Sequence, residues 1–190
     1  LIICSDDNAF NFLKQYRDKL FGPTPVVFCG VNFFKPQDLD GLKGYTGVNE
    51  ETDMAGSLEM VLSIHRGVKK IVLIVDTTTT GKKVYERFLE LRSKFQDRVT
   101  FSVLKDVSRD QVLKAVTKLP SDTIVYYTLF FRDIEGKFIE YDESIAMVAD
   151  VCNRPIYGTW DFSLGSGIVG GLLASGYFQG FTAGEMGTRV

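Results

Sequence analysis

Histidine occurs once in this 190-residue chain, at position 65, and cysteine three times, as Cys4, Cys29 and Cys152. A single imidazole excludes a histidine-based metal cluster. A Ser-His or Cys-His couple would have to recruit His65, which stands beside Arg66 near the end of an expected helix. The cysteines show neither a C-x-x-C pair nor metal-ligand spacing, and an odd count argues against a disulfide framework. Each lies at or near the end of an apolar run, where small buried hydrophobes belong. Charge of one sign is also scarce: 22 basic side chains against 24 acidic ones leave a formal charge of -2. No basic field gathers phosphates, so nucleic acid is not an expected partner. Long hydrophobic runs are missing too. The longest mostly apolar stretch, residues 167–178, contains four glycines and falls well short of the ~18 residues a membrane span needs. The chain opens at Leu1 inside an apolar run, as a fragment or a processed product would.

Motifs of catalysis fail when tested singly. Residues 165–170 match G-x-G-x-x-G, but the pattern stands late in the chain, several residues past the nearest expected strand. A dinucleotide loop should follow the first strand directly. The run from Asp76 to Lys82 ends in Gly-Lys yet lacks the glycine that opens a phosphate loop and the second acid of an Asp-x-Asp site. No G-x-S-x-G elbow occurs. Glu50 and Glu51 are adjacent and point different ways, so they do not make an acid/base pair. The chain is expected to be no enzyme and to need no cofactor or metal.

What the sequence does contain is alternation. Short Val- and Ile-rich runs at 1–4, 25–29, 46–48, 70–76, 99–104, 123–128 and 155–159 predict strands. Longer stretches at 8–20, 51–66, 81–95, 108–118, 141–153 and much of 168–189 predict helices. In the first helix Phe12, Leu13, Tyr16 and Leu20 share one face, with Asp7 or Asn8 as cap; in the second, Ala55, Leu58, Leu62 and His65 recur at helical spacing. Four strands are nearly continuous apolar runs, as strands covered by helices on both faces must be. The fold class is therefore α/β, with parallel sheets flanked by helices.

Such sheets bind ligands beyond the carboxyl ends of their strands. The residues there are Ser5, Asp6, Asp7 and Asn8 after the first strand, and Gly30, Asn32 and Phe33 after the second. Asp76, Thr77, Thr78, Thr79 and Thr80 come after the fourth. Phe130, Phe131, Arg132 and Asp133 come after the sixth, and Tyr157, Trp160 and Asp161 belong to the end of the last. Helix capping accounts for any one Thr or Asp; the same chemistry at several independent strand ends points to a common crevice. Aromatic walls with a few polar groups suit a small organic molecule.

Taken in order, the runs IICSDDNAFNFL, PVVFCGVNFF, GYTGVNEETD, KKIVLIVDTTTTG and PIYGTWDFSLGSGIVGG resemble type 1 periplasmic binding proteins. Within them, they resemble the ABC transporter substrate-binding-like sensor domains of bacterial membrane-bound histidine kinases and related signalling proteins. The resemblance implies a two-lobed fold, with residues 1–47 as the later part of an incomplete first lobe, 48–161 as the second lobe, and 162–190 as a return crossover and flanking helix. It implies an extracytoplasmic sensor from a membrane-anchored parent, holding an amino acid or similar metabolite between its lobes and signalling closure to an attached module. A free solute-binding protein of an ABC transporter is the alternative, and a homodimer is compatible with either. The implied ligand site is Ser5, Asp6, Asp7, Asn8, Gly30, Asn32, Phe33, Asp76, Thr77, Thr78, Thr79, Phe130, Arg132, Tyr157, Trp160 and Asp161. A zwitterion would set its carboxylate on the threonines and its ammonium on Asp161 or Asp6.

Overall fold

The computed structural model describes residues 1–190. Along the chain run β1 (Ile2–Ser5), α1 (Asp6–Phe21), β2 (Val26–Asn32), β3 (Tyr45–Glu50), α2 (Met54–Ile64), β4 (Lys70–Val75) and α3 (Thr79–Leu91). After them come β5 (Thr100–Leu104), α4 (Arg109–Val116), β6 (Thr123–Leu129), α5 (Tyr141–Val151), β7 (Ile156–Gly158) and α6 (Gly176–Gly187). The elements divide into two units. One comprises Leu1–Glu51 with Ser175–Val190; the other is the unbroken segment Thr52–Ala174.

In the first unit β1, β2 and β3 form a parallel sheet in that order. Strand alternation sends Val26 and Phe28 to one face, where they meet Phe10 and Leu13 of α1. Val27 and Cys29 go to the other, where Ala183 and Met186 of α6 cover them. The register of β2 against β3 shifts between Phe28 and Val31, and Gly30, with φ +63°, supplies the bulge. A Cβ there would lie 3.2 Å from both the Asp6 nitrogen and the Ser5 hydroxyl, so the conformation and the space both call for glycine.

The second unit is a parallel sheet in the order β5-β4-β6-β7. Every residue of β6 is buried, and so is every residue of β4 after Lys70. Val72, Ile74, Val125 and Tyr127 pack on one face against Val112 and Val116 of α4 and Ile145 and Val148 of α5.

Three expectations are corrected. The apolar face predicted for the first helix is not the one it buries. Phe10, Leu13 and Arg17 turn inward, while Phe12, Tyr16 and Leu20 form an exposed flank. Arg17 takes the inner position because its guanidinium donates to the Lys43 carbonyl at 2.7 Å and lies over the Tyr45 ring. The cap of that helix is the backbone of Ser5, without a side-chain hydrogen bond, rather than Asp7 or Asn8. Finally, residues 168–174 are not helical. The Gly158 N–H donates to the Gly170 carbonyl and the Ala174 N–H to the Thr159 carbonyl, both at 2.9 Å, so the segment lines the outer edge of β7. Three glycines at 167, 170 and 171 make a helix costly there, and the strand edge offers hydrogen bonds instead. The unit boundaries move accordingly: residues 48–51 stay with the first unit, 162–174 with the second, and 175–190 return to the first as α6. No helix is long and apolar enough to cross a membrane.

Candidate functional site

In the first unit the expected residues gather at the carboxyl ends of β1 and β2, but they divide into braces and exposed groups. Asp7 and Asn32 are buried against each other, with the Asn32 amide donating to the Asp7 carboxylate at 3.1 Å. The Gly30 N–H donates to Gln179 Oε1 at 2.8 Å, and the Gln179 amide donates to Glu50 at 2.7 Å, tying α6 to the ends of β2 and β3. Ser5, Asp6 and Asn8 remain exposed, with Phe33 half-buried. Asp6 (φ +78°) and Phe33 (φ +52°) hold left-handed backbone conformations without being glycine. A bulky ring there is a rare and costly arrangement of the kind found where surrounding structure fixes a functional edge.

In the second unit Asp76 is engaged through both oxygens. Oδ1 accepts from the Thr78 N–H at 2.9 Å and the Thr78 hydroxyl at 2.6 Å. Oδ2 accepts from the N–H groups of Phe131 at 2.8 Å and Arg132 at 3.2 Å. These four bonds fill a carboxylate's acceptor positions and join the end of β4 to the end of β6. Thr78 caps α3, accepting from the Gly81 N–H at 3.1 Å. Of the threonines expected to seat a carboxylate, Thr78 is therefore already occupied by protein groups. Thr77 and Thr79 are half-buried beside it.

Three aromatic assignments move. Phe130 lies in the core with Tyr127, Ile139 and Ile145, because the register of β6 against β4 shifts between Tyr127 and Leu129 and the extra residue returns Phe130 to the face of Tyr127. Tyr157 turns its hydroxyl to His65 Nε2, 2.7 Å away. His65 lies just past α2 at the edge where β4 begins, so that hydroxyl is remote from the strand ends. A shallow pocket of about 230 Å³ lined by His65, Gly67, Val68, Ser121 and Asp122 opens at the same edge. Trp160 is only 5% exposed, and Phe162 stacks over it with ring centroids 6.0 Å apart and planes at 14°.

The rings that do face outward are Phe162, 45% exposed, and Tyr141, 50% exposed. Tyr141 meets Phe131 edge-on at 4.3 Å and lies 5.9 Å from Phe162; Phe138 adds a fourth ring 6.4 Å from Tyr141. Their platform is a hairpin. The Ile139 N–H donates to the Phe131 carbonyl, and the buried Asp133 carboxylate accepts from the N–H groups of Glu135 and Lys137. Arg132 on this hairpin and Asp161 beside Phe162 complete the group, and neither side chain is spent on an internal ion pair. The sequence reading missed Phe138, Tyr141 and Phe162. The one signal for them was an aromatic residue in each connection beyond β6 and β7, Phe138 and Phe162, with Tyr141 at the start of the following helix. Gln179 was missed as well, because its partners lie far away in sequence.

No known protein family matches the sequence, and no curated protein does. Among solved structures, an ABC domain from Streptococcus pneumonia in complex with L-Trp is similar, with a TM-score of 0.67 and 17% identity. The match takes in 100% of this chain and 65% of that one, so the chain spans less than two thirds of that protein's length. The likeness is one of fold. The class this chain shares with it is α/β, with parallel sheets flanked by helices.

Proposed function

We propose that this chain is a non-catalytic binding domain for a small zwitterion with an aromatic or planar side group. In this reading it serves as an extracytoplasmic sensor joined to a signalling module such as a histidine kinase. The observation that carries the binding part is the group at the strand ends of the second unit: exposed Phe162 and Tyr141, with an uncommitted guanidinium and carboxylate beside them. Aromatic faces would hold the side group, Arg132 the carboxylate and Asp161 the ammonium. The fold it shares with a protein solved with L-Trp supports the same ligand class. Binding becomes a signal only if the ligand favours one conformation of the domain over another.

Isothermal titration with L-Trp, L-Phe, L-Tyr, glucose and adenine tests this. One aromatic amino acid should bind saturably, and Phe162→Ala or Arg132→Gln should each weaken it roughly tenfold without changing the thermal midpoint. Affinity unmoved by both variants, or binding of glucose alone, would overturn the assignment.

The alternative role, a solute-binding protein serving a transporter, draws on the description of the similar structure as an ABC domain. The parent gene separates the two. A membrane helix and kinase domain beside this segment support the sensor, and a lipoprotein signal with no output domain supports transport.

A further inference from the structure

The hairpin between β6 and α5 has few contacts of the ordinary kind to hold it. Between Arg132 and Phe138 only Asp133 is buried. Ile134 at the tip is 57% exposed, and the Glu135–Lys137 ion pair lies in solvent, where such pairs contribute little. A lone hairpin without an apolar tip is marginal. Its two arms nevertheless keep one register. The Ile139 N–H donates to the Phe131 carbonyl at 2.9 Å and the Asp133 N–H to the Lys137 carbonyl at 3.1 Å, so Arg132 and Phe138 form the antiparallel bridge between these bonds. Such a pair exchanges no hydrogen bond, and its side chains approach closely and leave the hairpin on the same face. Asp133 and Ile139, each one residue on, turn to the other face and are 3% and 5% exposed. Arg132 and Phe138 stand side by side on the outer face, with the Phe138 ring 6.4 Å from Tyr141.

The turn itself is fixed by the Asp133 carboxylate. One of its oxygens, Oδ1, accepts from the Glu135 N–H at 3.0 Å and from the Lys137 N–H at 2.9 Å. The Asp133 carbonyl accepts from the Gly136 N–H at 3.0 Å, and Gly136, with φ +81°, closes the turn. Other anchors reach only the first arm and the tip: Asp76 accepts from the Phe131 and Arg132 N–H groups, and the Val107 carbonyl from the Ile134 N–H at 3.2 Å. Residues 135–138 depend on the bonds that Asp133 makes.

We infer that Asp133 is a positioning residue for the binding site proposed above, a role that rests on that reading. Asp133 touches no ligand. It preorganises the hairpin so that the Arg132 guanidinium and the Phe138 ring meet the carboxylate and the planar group of one ligand together. A hairpin that had to order itself on binding would spend affinity on doing so. If the turn held the competent form a tenth of the time, the dissociation constant would rise about tenfold. Both N–H bonds end on one oxygen, so the carbonyl oxygen of an amide can accept them in place of the carboxylate. The geometry of Asp133 matters here, and its charge does not.

Calorimetric titration of the whole chain with L-Trp, L-Phe and L-Tyr, well below the thermal midpoint, tests this. Asp133→Asn should stay within ~3-fold of the unmodified affinity, and Asp133→Ala should weaken binding ~10-fold or more. In the alanine variant the Lys137 amide should exchange faster, and the Hα–Hα contact between Arg132 and Phe138 should vanish from the NMR spectrum. Equal losses in both variants would make Asp133 a charged ligand contact and overturn the positioning role. Affinity indifferent to Asp133→Ala, or an Hα–Hα contact that survives it, overturns the role as well. Gly136→Val decides the matter if Asp133→Ala fails to fold. Apart from its chain neighbours nothing lies within 4 Å of a Cβ at that position, so the substitution strains only the backbone of the turn. It should weaken binding and Lys137 protection in parallel, and unchanged binding overturns the proposal. An unmodified chain that binds none of the three amino acids overturns the ligand reading and this role with it; binding that ignores Asp133→Ala overturns this role alone.

Discussion

Asp76 shows how a residue's chemistry and its role can part. A carboxylate at a strand end beside four threonines reads as a ligand group, yet its oxygens accept four bonds from Thr78, Phe131 and Arg132. Gly81 belongs to the same arrangement, since a Cβ there would lie 2.3 Å from Asp76 Oδ1. Asp76→Ala is expected to lower the unfolding free energy by about 2–4 kcal/mol, because it strands buried N–H donors. A denaturant titration checks this, and a loss below about 1 kcal/mol would return Asp76 to the ligand groups. The buried thiol of Cys4 also sits apart from any chemistry. Burial, reinforced by neighbouring Cys29, pushes it from 9.0 up to about 11. Thiol reagents at mildly alkaline pH should therefore modify Cys4 far more slowly in the native chain than in denaturant.

At the scale of elements, the caps tell which helix starts are autonomous. Ser108 and Gln111 form a reciprocal capping box at α4. Ser108→Ala should cost about 1 kcal/mol, read from the shift in urea midpoint. α1 has no side-chain cap and depends on Phe10, Leu13 and Arg17 being held by the sheet. The periodicity of its sequence admitted two apolar stripes. Which one turns inward was settled by the Lys43 carbonyl and the Tyr45 ring, neither of which is near Arg17 in the chain. α6 carries glycine at 176, 180, 184 and 187, a composition that disfavours an isolated helix. It is held by Ala183 and Met186 on β2 and by the Gln179 bridge.

For the molecule as a whole, topology separates two folding problems. Thr52–Ala174 is one continuous segment with its own four-stranded sheet, whereas the first unit needs both ends of the chain. A fragment of residues 52–174 should unfold cooperatively alone; a featureless near-ultraviolet spectrum would refute this. Alkali should destabilise the chain. Burial raises the phenols of Tyr126 and Tyr127, the latter in part offset by Ser144, and the Cys4 thiol is raised with them. The unfolded chain releases these protons first, so it binds fewer protons than the native state and stability falls with rising pH. The stabilisation is intact below about pH 7.5, where unfolded thiols and phenols remain largely protonated, and the thiol part is lost first as pH rises through the unfolded value of about 8.5. It should fade as pH climbs toward 11 and beyond, visible as a falling thermal midpoint that Cys4→Ala partly flattens.

The sequence by itself determined the α/β class, the seven strands and the strand-end location of polar and aromatic residues. Each of these depends on local periodicity: apolar runs make strands, and the residues next in the chain after a parallel strand stand at its carboxyl edge. Tertiary structure decided which of those residues stay outside. Phe130 and Trp160 went inward, Asp76 became a latch, Tyr157 turned to His65, and Phe162 and Tyr141 took the exposed positions. Those outcomes depend on partners as far apart as Asp76 and Phe131, or His65 and Tyr157. A side chain's direction past the end of a strand is set by the neighbours it meets there, and only the folded chain brings them together.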